Sequence, residues 1–182
     1  MRAAAGGGVG TSTFCQVAPG RCWSVAALLG AQNAEGEKRN SGKMTKITGM
    51  QVFDWRFPTS IQSDGSDAVH KDPDYSCVYL VLHTDSSRVP KGYGLTFTLG
   101  RGNEVVAACA RALAHVVVGK DFQRDIVDGM MDEVDHRGFY YQLTQEGQLR
   151  WLGPEKGVVG MAAGAIVNAV WDIMARLANK PL

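Results

Sequence analysis

Between positions 77 and 84 the chain reads Cys-Val-Tyr-Leu-Val-Leu-His-Thr, an alternation with a period of two. Val78, Leu80 and Leu82 share one face of an extended segment, and Tyr79, Val81 and His83 share the other. Both faces are mostly apolar, which predicts a central strand. A later run alternates Tyr93, Leu95, Phe97 and Leu99 with Gly94, Thr96 and Thr98. It predicts a further strand whose inward face carries the large side chains. Upstream, Ile47, Met50, Val52, Asp54 and Trp55 predict a first strand, with poor alternation at Gly49. The connectors, a polar loop at 57–75 and a turn-rich stretch at 85–92, contain no crossover helix, so the strands are expected to form an antiparallel meander.

After Gly100-Arg-Gly102 the period changes to about 3.6. Asn103 is a candidate helix cap, with Glu104 in the first turn. Val105, Val106, Cys109, Leu113, Val116 and Val117 form the apolar stripe of that helix. Ile126, Val127, Met130, Met131 and Val134 keep helical spacing across Gly129, and Phe139-Tyr-Tyr-Gln-Leu143 predicts a short helix. A loop at 147–153 leads to Pro154, placed where a first helical turn tolerates it, and to a last long helix at 155–176. That helix is apolar and rich in small residues, and the sequence gives it no following segment to pack on. The expectation is a front portion of a larger enzyme, lid present and catalytic body absent. Three strands followed by helices define the fold class as α+β, with helices on one face of a small sheet.

The 182 residues, 45% hydrophobic and 20% charged, suit one domain plus a tail. A net charge of +1 excludes a strong electrostatic pull on nucleic acid or an anionic membrane. No uninterrupted apolar run is expected to reach the roughly 18 residues of a span, because 158–174 is broken by Gly160, Gly164, Asn168 and Asp172. Cys15, Cys22, Cys77 and Cys109 lack zinc-ligand spacing, and His70, His83, His115 and His136 are scattered, so no metal site is predicted. Residues 1–43 differ from the rest: they contain Gly6-Gly7-Gly8, no acid before Glu35, and no helical period. They read as a disordered extension or a targeting segment.

Three loops carry candidate chemistry. Leu99-Gly-Arg-Gly-Asn103 resembles a phosphate turn, but Val105 stands where the dinucleotide fingerprint needs glycine, so a tight turn is the expected reading. Gly153-Pro-Glu-Lys-Gly157 reads as a helix start. The stretch 63–75 gathers Asp64, Asp67, Asp72 and Asp74 without the ligand pattern of a calcium loop. Its carboxylates and Tyr75 suit a hydroxyl-rich ligand: Asp67 can accept from sugar hydroxyls and Tyr75 can donate.

A resemblance sharpens this. Arg56-Phe-Pro-Thr-Ser60, Asp67-Ala68, Asp72-Pro-Asp-Tyr-Ser76, Gly94-Leu-Thr-Phe-Thr-Leu-Gly-Arg-Gly-Asn-Glu104, Gln148-Leu-Arg-Trp-Leu-Gly-Pro-Glu-Lys-Gly157 and Asn168-Ala-Val-Trp-Asp172 resemble, in unbroken order, the amino-terminal domain of the L-fuconate dehydratases of the enolase superfamily. It covers 46–182. It implies a three-stranded antiparallel meander plus helical bundle that caps a β/α barrel, with the barrel absent here. The implied reaction is Mg²⁺-dependent dehydration of L-fuconate to its 2-keto-3-deoxy product. Within this chain it implies substrate contacts at Gly65, Ser66, Asp67 and Tyr75. Catalytic and metal-binding residues would lie beyond Leu182, so Mg²⁺ would be bound by the barrel and these 182 residues would be inactive alone. A homo-oligomeric full-length form and a mitochondrial location, or else a cytoplasmic one, are further expectations. The stretch 128–136 looks longer than the family's usual connection. The alternative expectation is a truncated, non-catalytic isoform that binds a protein partner through the apolar face of the last helix.

Overall fold

The computed structural model describes residues 45–128, 138–153 and 155–181; the tail at 1–43 and nearly all of the 128–136 stretch lie outside the described residues. Strands β1 (Ile47–Arg56), β2 (Ser76–Thr84) and β3 (Lys91–Thr98) form one antiparallel sheet in the order β1-β2-β3. Helices α1 (Asn103–Ala112), α2 (Ala114–Val117), α3 (Phe139–Thr144) and α4 (Val158–Ala178) follow, with a π-helical turn at Phe122–Val127 and a 3-10 turn at Arg150–Leu152. The α+β meander expected from the sequence is the fold observed.

β2 is central, as its two apolar faces required. Val78, Leu80 and Leu82 are each 0% exposed, and burying each such side chain stabilises by about 1.5–3 kcal/mol. The face of β3 is the reverse of the expected one. Gly92 and Gly94 are buried, whereas Leu95 and Phe97 are exposed on the outer side of the sheet. The cause is α4, which lies directly on the glycines. A Cβ at Gly94 would land on the Ala165 carbonyl oxygen, and one at Gly92 would lie 2.5 Å from the Ala169 carbonyl oxygen. Backbone approach this close admits no side chain.

α4 therefore has its partner within these residues, which corrects the expectation of an unpartnered helix. Val159, Ala162, Ala163, Ala165, Ile166, Ala169, Val170 and Ile173 are buried against the sheet and α1. By length and composition alone α4 could cross a bilayer, since it has 21 residues and an 18-residue stretch of it reaches a mean hydropathy of 1.7. That corrects the expectation that no segment reaches the threshold; in this fold α4 is a core helix. Asn168 Nδ2 donates to the Leu95 carbonyl oxygen (3.1 Å), and the Tyr93 N–H donates to Asp172 Oδ2 (3.0 Å). Four helical residues rise about 6 Å and two strand residues about 6.6 Å. The i, i+4 pair on α4 thus matches alternate residues of β3 and satisfies polar groups on its free edge. Arg176 adds an ion pair to Asp172 (3.1 Å) and lies 4.9 Å over the Tyr93 ring.

Two local readings change. Gly102, not Asn103, is the cap of α1, and the first helix ends at Ala112, Leu113 forming the junction with α2. Within the stripe Val105 is 44% exposed, while Ala107 and Ala110 are buried. Small side chains let α1 pack close to the sheet and α4, and a stripe defined by large residues alone misses them.

The N-terminus of α1 is tied to the sheet by a polar network. Asn103 is fully buried; its Nδ2 donates to Asp54 Oδ1 and to the Cys77 carbonyl oxygen (3.2 Å), and its Oδ1 accepts from Thr98 Oγ1 (2.7 Å). Arg56 makes a two-pronged pair with Asp54 (2.9 and 2.7 Å) and reaches Glu104 (2.6 Å). Arg56 above all, with Asn103, holds the Asp54 carboxyl down at about 2 from its ordinary 3.8. A carboxyl depressed on folding stabilises fully above its unfolded value and loses that contribution as pH falls through the folded one. Thermal melts between pH 5 and 1.5 are expected to show a loss in the window from 3.8 down to about 2 that Asp54→Asn flattens. An unchanged pH profile in the variant would show that Asp54 contributes nothing there.

Candidate functional site

The loop between β1 and β2 carries every sequence-predicted site residue. Its base is closed by the Phe57 N–H to the Tyr75 carbonyl oxygen (3.0 Å). Thr59 Oγ1 donates to the Pro73 carbonyl oxygen (2.8 Å) and accepts from the Tyr75 N–H (2.9 Å), so one hydroxyl joins both limbs. The Ser60 N–H donates to Asp74 Oδ1 (3.1 Å). Ser60's hydrogen bonds, and then the charge of Arg101, hold the Asp74 carboxyl below its ordinary value.

At the tip, Tyr75 and Gly65 are built for each other. The Tyr75 hydroxyl donates to the Gly65 carbonyl oxygen (2.9 Å), and its ring occupies the space a Cβ at Gly65 would need. Gly65 also has φ +70°, in the left-handed region, so glycine is required there twice over. The ring of Tyr75 packs 5.5 Å from that of Phe97, which anchors the tip to β3. Ser66 follows in a turn, its N–H donating to the Ser63 carbonyl oxygen (3.2 Å).

Asp67 is engaged within the loop. Its Oδ1 accepts the N–H groups of Val69 (2.7 Å) and His70 (2.6 Å), and its Oδ2 lies 3.2 Å from His70 Nδ1. The backbone N–H of His70 and then that of Val69 hold its carboxyl below the ordinary value, so it is ionised at neutral pH. His70 was not among the predicted site residues, although its i, i+3 spacing from Asp67 in a turn was the available signal. His70, Ser60, Asp72, Asp74, Leu99 and Arg101 line a cleft of ≈ 290 Å³ beside the loop.

The other two candidate loops are structural. Gly100 (φ +112°) and Gly102 (φ +92°) make the tight turn, and the Gly102 N–H goes to the Glu104 carboxylate (3.2 Å). The Glu104 carboxylate thus takes up the Gly102 N–H, one of the backbone donors an anion would need. Gly153 (φ +89°) sits against Gly157 at the start of α4. Among the described residues no group of three or more His, Cys, Asp or Glu side chains could hold a metal ion.

Comparison with known proteins places this geometry. Mitochondrial enolase superfamily member 1 of Bos taurus is 55% identical over 137 residues, which is 75% of this chain and 29% of that protein. The crystal structure of human mitochondrial enolase superfamily member 1 superposes with a TM-score of 0.68 at 51% identity, over 76% of this chain and 30% of that one. Over the residues it shares with them, the chain is similar to proteins of the enolase superfamily. No protein-family profile matches it. An L-galactonate dehydratase of Hypocrea jecorina, 44% identical over 136 residues, shares 75% of this chain and 28% of its own length. A more distant solved structure, a racemase from Streptomyces coelicolor A3(2) with bound magnesium, matches in fold alone (19% identity, TM-score 0.54, 70% of this chain and 31% of that one). The chain thus spans under a third of the length of these relatives.

Proposed function

We propose that residues 46–182 act as the substrate-facing cap of a sugar-acid dehydratase whose substrate is L-fuconate. The observation that carries the reading is the 53–55% identity to mitochondrial enolase superfamily member 1 proteins across 137 residues that include the whole 57–75 loop. Support for a sugar acid comes from the relative named for L-galactonate, a hydroxylated acid of the same size.

In this reading the chain binds, orients and shields. Gly65, Ser66 and Asp67 at the tip, with Tyr75 reaching them from the base, face the substrate from a loop already closed by its own hydrogen bonds. A preformed loop loses little conformational entropy when ligand arrives. It also excludes water from whatever chemistry proceeds beneath it. When bound, Mg²⁺ would stabilise the charge that develops on the acid's carboxylate. The donors described above do not fit such an ion, so the reading assigns it, with the acid/base groups, to polypeptide outside these residues. The relatives' name supports a mitochondrial location, with 1–43 as the targeting segment.

Two assays test this. The purified 182-residue chain, given L-fuconate, L-galactonate and Mg²⁺, is expected to release no keto acid. A chimera in which 46–181 replaces the aligned residues of the human relative is expected to dehydrate L-fuconate. A folded but inert chimera, or turnover by the chain alone, would overturn the assignment.

A second reading, a protein-interaction module, is favoured by one observation. The outer sheet face exposes Phe53, Trp55, Leu95 and Phe97 (38–55% exposed), more apolar surface than scattered side chains account for. It lies on the opposite side of the sheet from α4, where the sequence pointed. A monodisperse monomer by light scattering that binds no hydrophobic dye would argue against it.

A further inference from the structure

The tip of the β1–β2 loop holds one peptide bond set up to rearrange. Asp64 and Gly65 are both exposed. The peptides on either side are tied down: the Asp64 N–H donates to the Thr59 carbonyl oxygen (3.1 Å) and the Ser66 N–H to the Ser63 carbonyl oxygen (3.2 Å). Among the described residues the Gly65 N–H donates to nothing, and the Asp64 carboxylate accepts from nothing. Glycine also carries no Cβ to shield its own nitrogen from the preceding side chain. The other aspartates of the loop are held away from this chemistry. The carboxylates of Asp67 and Asp74 accept from backbone N–H groups and precede residues with a Cβ, Ala68 and Tyr75. Asp72 precedes Pro73, which has no N–H. Beyond the loop, Asp128 is the other aspartate followed by glycine, and it accepts from Gln123 Nε2 (2.8 Å).

We propose that Asp64–Gly65 is a site of spontaneous isoaspartate formation, and that the rearrangement releases the contact between Tyr75 and Gly65. The Gly65 nitrogen attacks Cγ of the protonated Asp64 carboxyl. A C–N bond forms, and the carboxyl hydroxyl leaves as water with the amide proton. The resulting succinimide takes up one water. Opening between Cγ and the nitrogen restores aspartate. Opening between the main-chain carbonyl carbon and the nitrogen routes the chain through Cβ and Cγ and leaves the α-carboxylate as the side group. No oxidant or reductant enters, and the mass is unchanged. The main chain gains one C–C bond, about 1.5 Å. The Gly65 carbonyl accepts from the Tyr75 hydroxyl (2.9 Å), and the Tyr75 ring fills the space of a Cβ there. That fit is lost once the chain before Gly65 lengthens. The inference needs no ligand and stands apart from the cap reading.

The test ages the purified 182-residue chain at neutral pH and digests it with trypsin, which releases residues 57–71 as one peptide. A second chromatographic peak of identical mass is expected, with the rearranged linkage at Asp64 and none at Asp67 by fragmentation. Asp64→Glu, whose imide would be six-membered and closes far more slowly, is expected to lose that peak. By NMR the Tyr75 ring resonances are expected to move in the aged fraction, while the buried Asn103 side-chain amide keeps its position. If the folded chain yields no second peak, the proposal falls; a synthetic 57–71 peptide that does rearrange would trace the protection to the loop. Equal rearrangement at Asp67 would show that the hydrogen bonds do not select the site. Isoaspartate at Asp64 with unmoved Tyr75 resonances would overturn the release of the contact.

Discussion

Replacing Gly94 with alanine is expected to destabilise the domain by about 3 kcal/mol or more, the upper range for forcing extra volume into a packed contact. The new Cβ would meet the Ala165 carbonyl oxygen, part of the α4 backbone, and then the Ala169 backbone nitrogen at 2.7 Å. No rotamer change relieves a clash with main chain. The helix must lift, and lifting it breaks both bonds that Asn168 and Asp172 make to β3. A fall in Tm of roughly 10 °C, or loss of soluble protein, is the readout. Gly49→Ala is the control, because nothing lies within 4 Å of a Cβ there. If the two alanine variants melt together, the close approach of α4 does not govern stability.

The second large effect is expected at Asn103. Asn103→Ala removes the hub that joins Thr98, Asp54 and the Cys77 carbonyl, at a residue with no solvent exposure. Each stranded buried polar group costs about 1–3 kcal/mol. Part of the Asp54 demand is met by Arg56, so a total near 3 kcal/mol is expected. Thr98→Val removes one spoke and is expected to cost about 1 kcal/mol. Urea unfolding measures both as a shift in midpoint at constant slope. A change under 1 kcal/mol for Asn103→Ala would mean that water replaces the hub.

The legible parts of this fold are those where one residue's character decides its place. Leu80 and its neighbours are apolar on both faces of one strand, and only a central strand accommodates that. Leu95 and Phe97 show that a hydrophobic side chain on an alternating strand need not be a buried one. The buried face of β3 belongs to Gly92 and Gly94, chosen for how near a helix backbone can come. Nothing in a hydrophobic pattern reports the distance between two backbones. The π-helical turn at Phe122–Val127 was invisible for a similar reason: its side-chain spacing is close to that of an α-helix.

The loop divides the same way. Gly65, Ser66, Asp67 and Tyr75 were found through a resemblance, and the structure joins Tyr75 to Gly65 directly. What they do to one another was not in the spacing. Asp67 read as a free acceptor, whereas its oxygens close a turn around His70. A carboxylate's partners three residues away in a loop depend on backbone angles that composition does not encode.

The free edge of β3 has a consequence for how the chain is made. Residues 91–98 leave the ribosome well before Asn168 and Asp172 exist. At about 5–20 residues per second, the interval lasts several seconds. During that time the strand offers unguarded backbone groups to any neighbouring nascent chain, because the helix that silences them is made about 70 residues later.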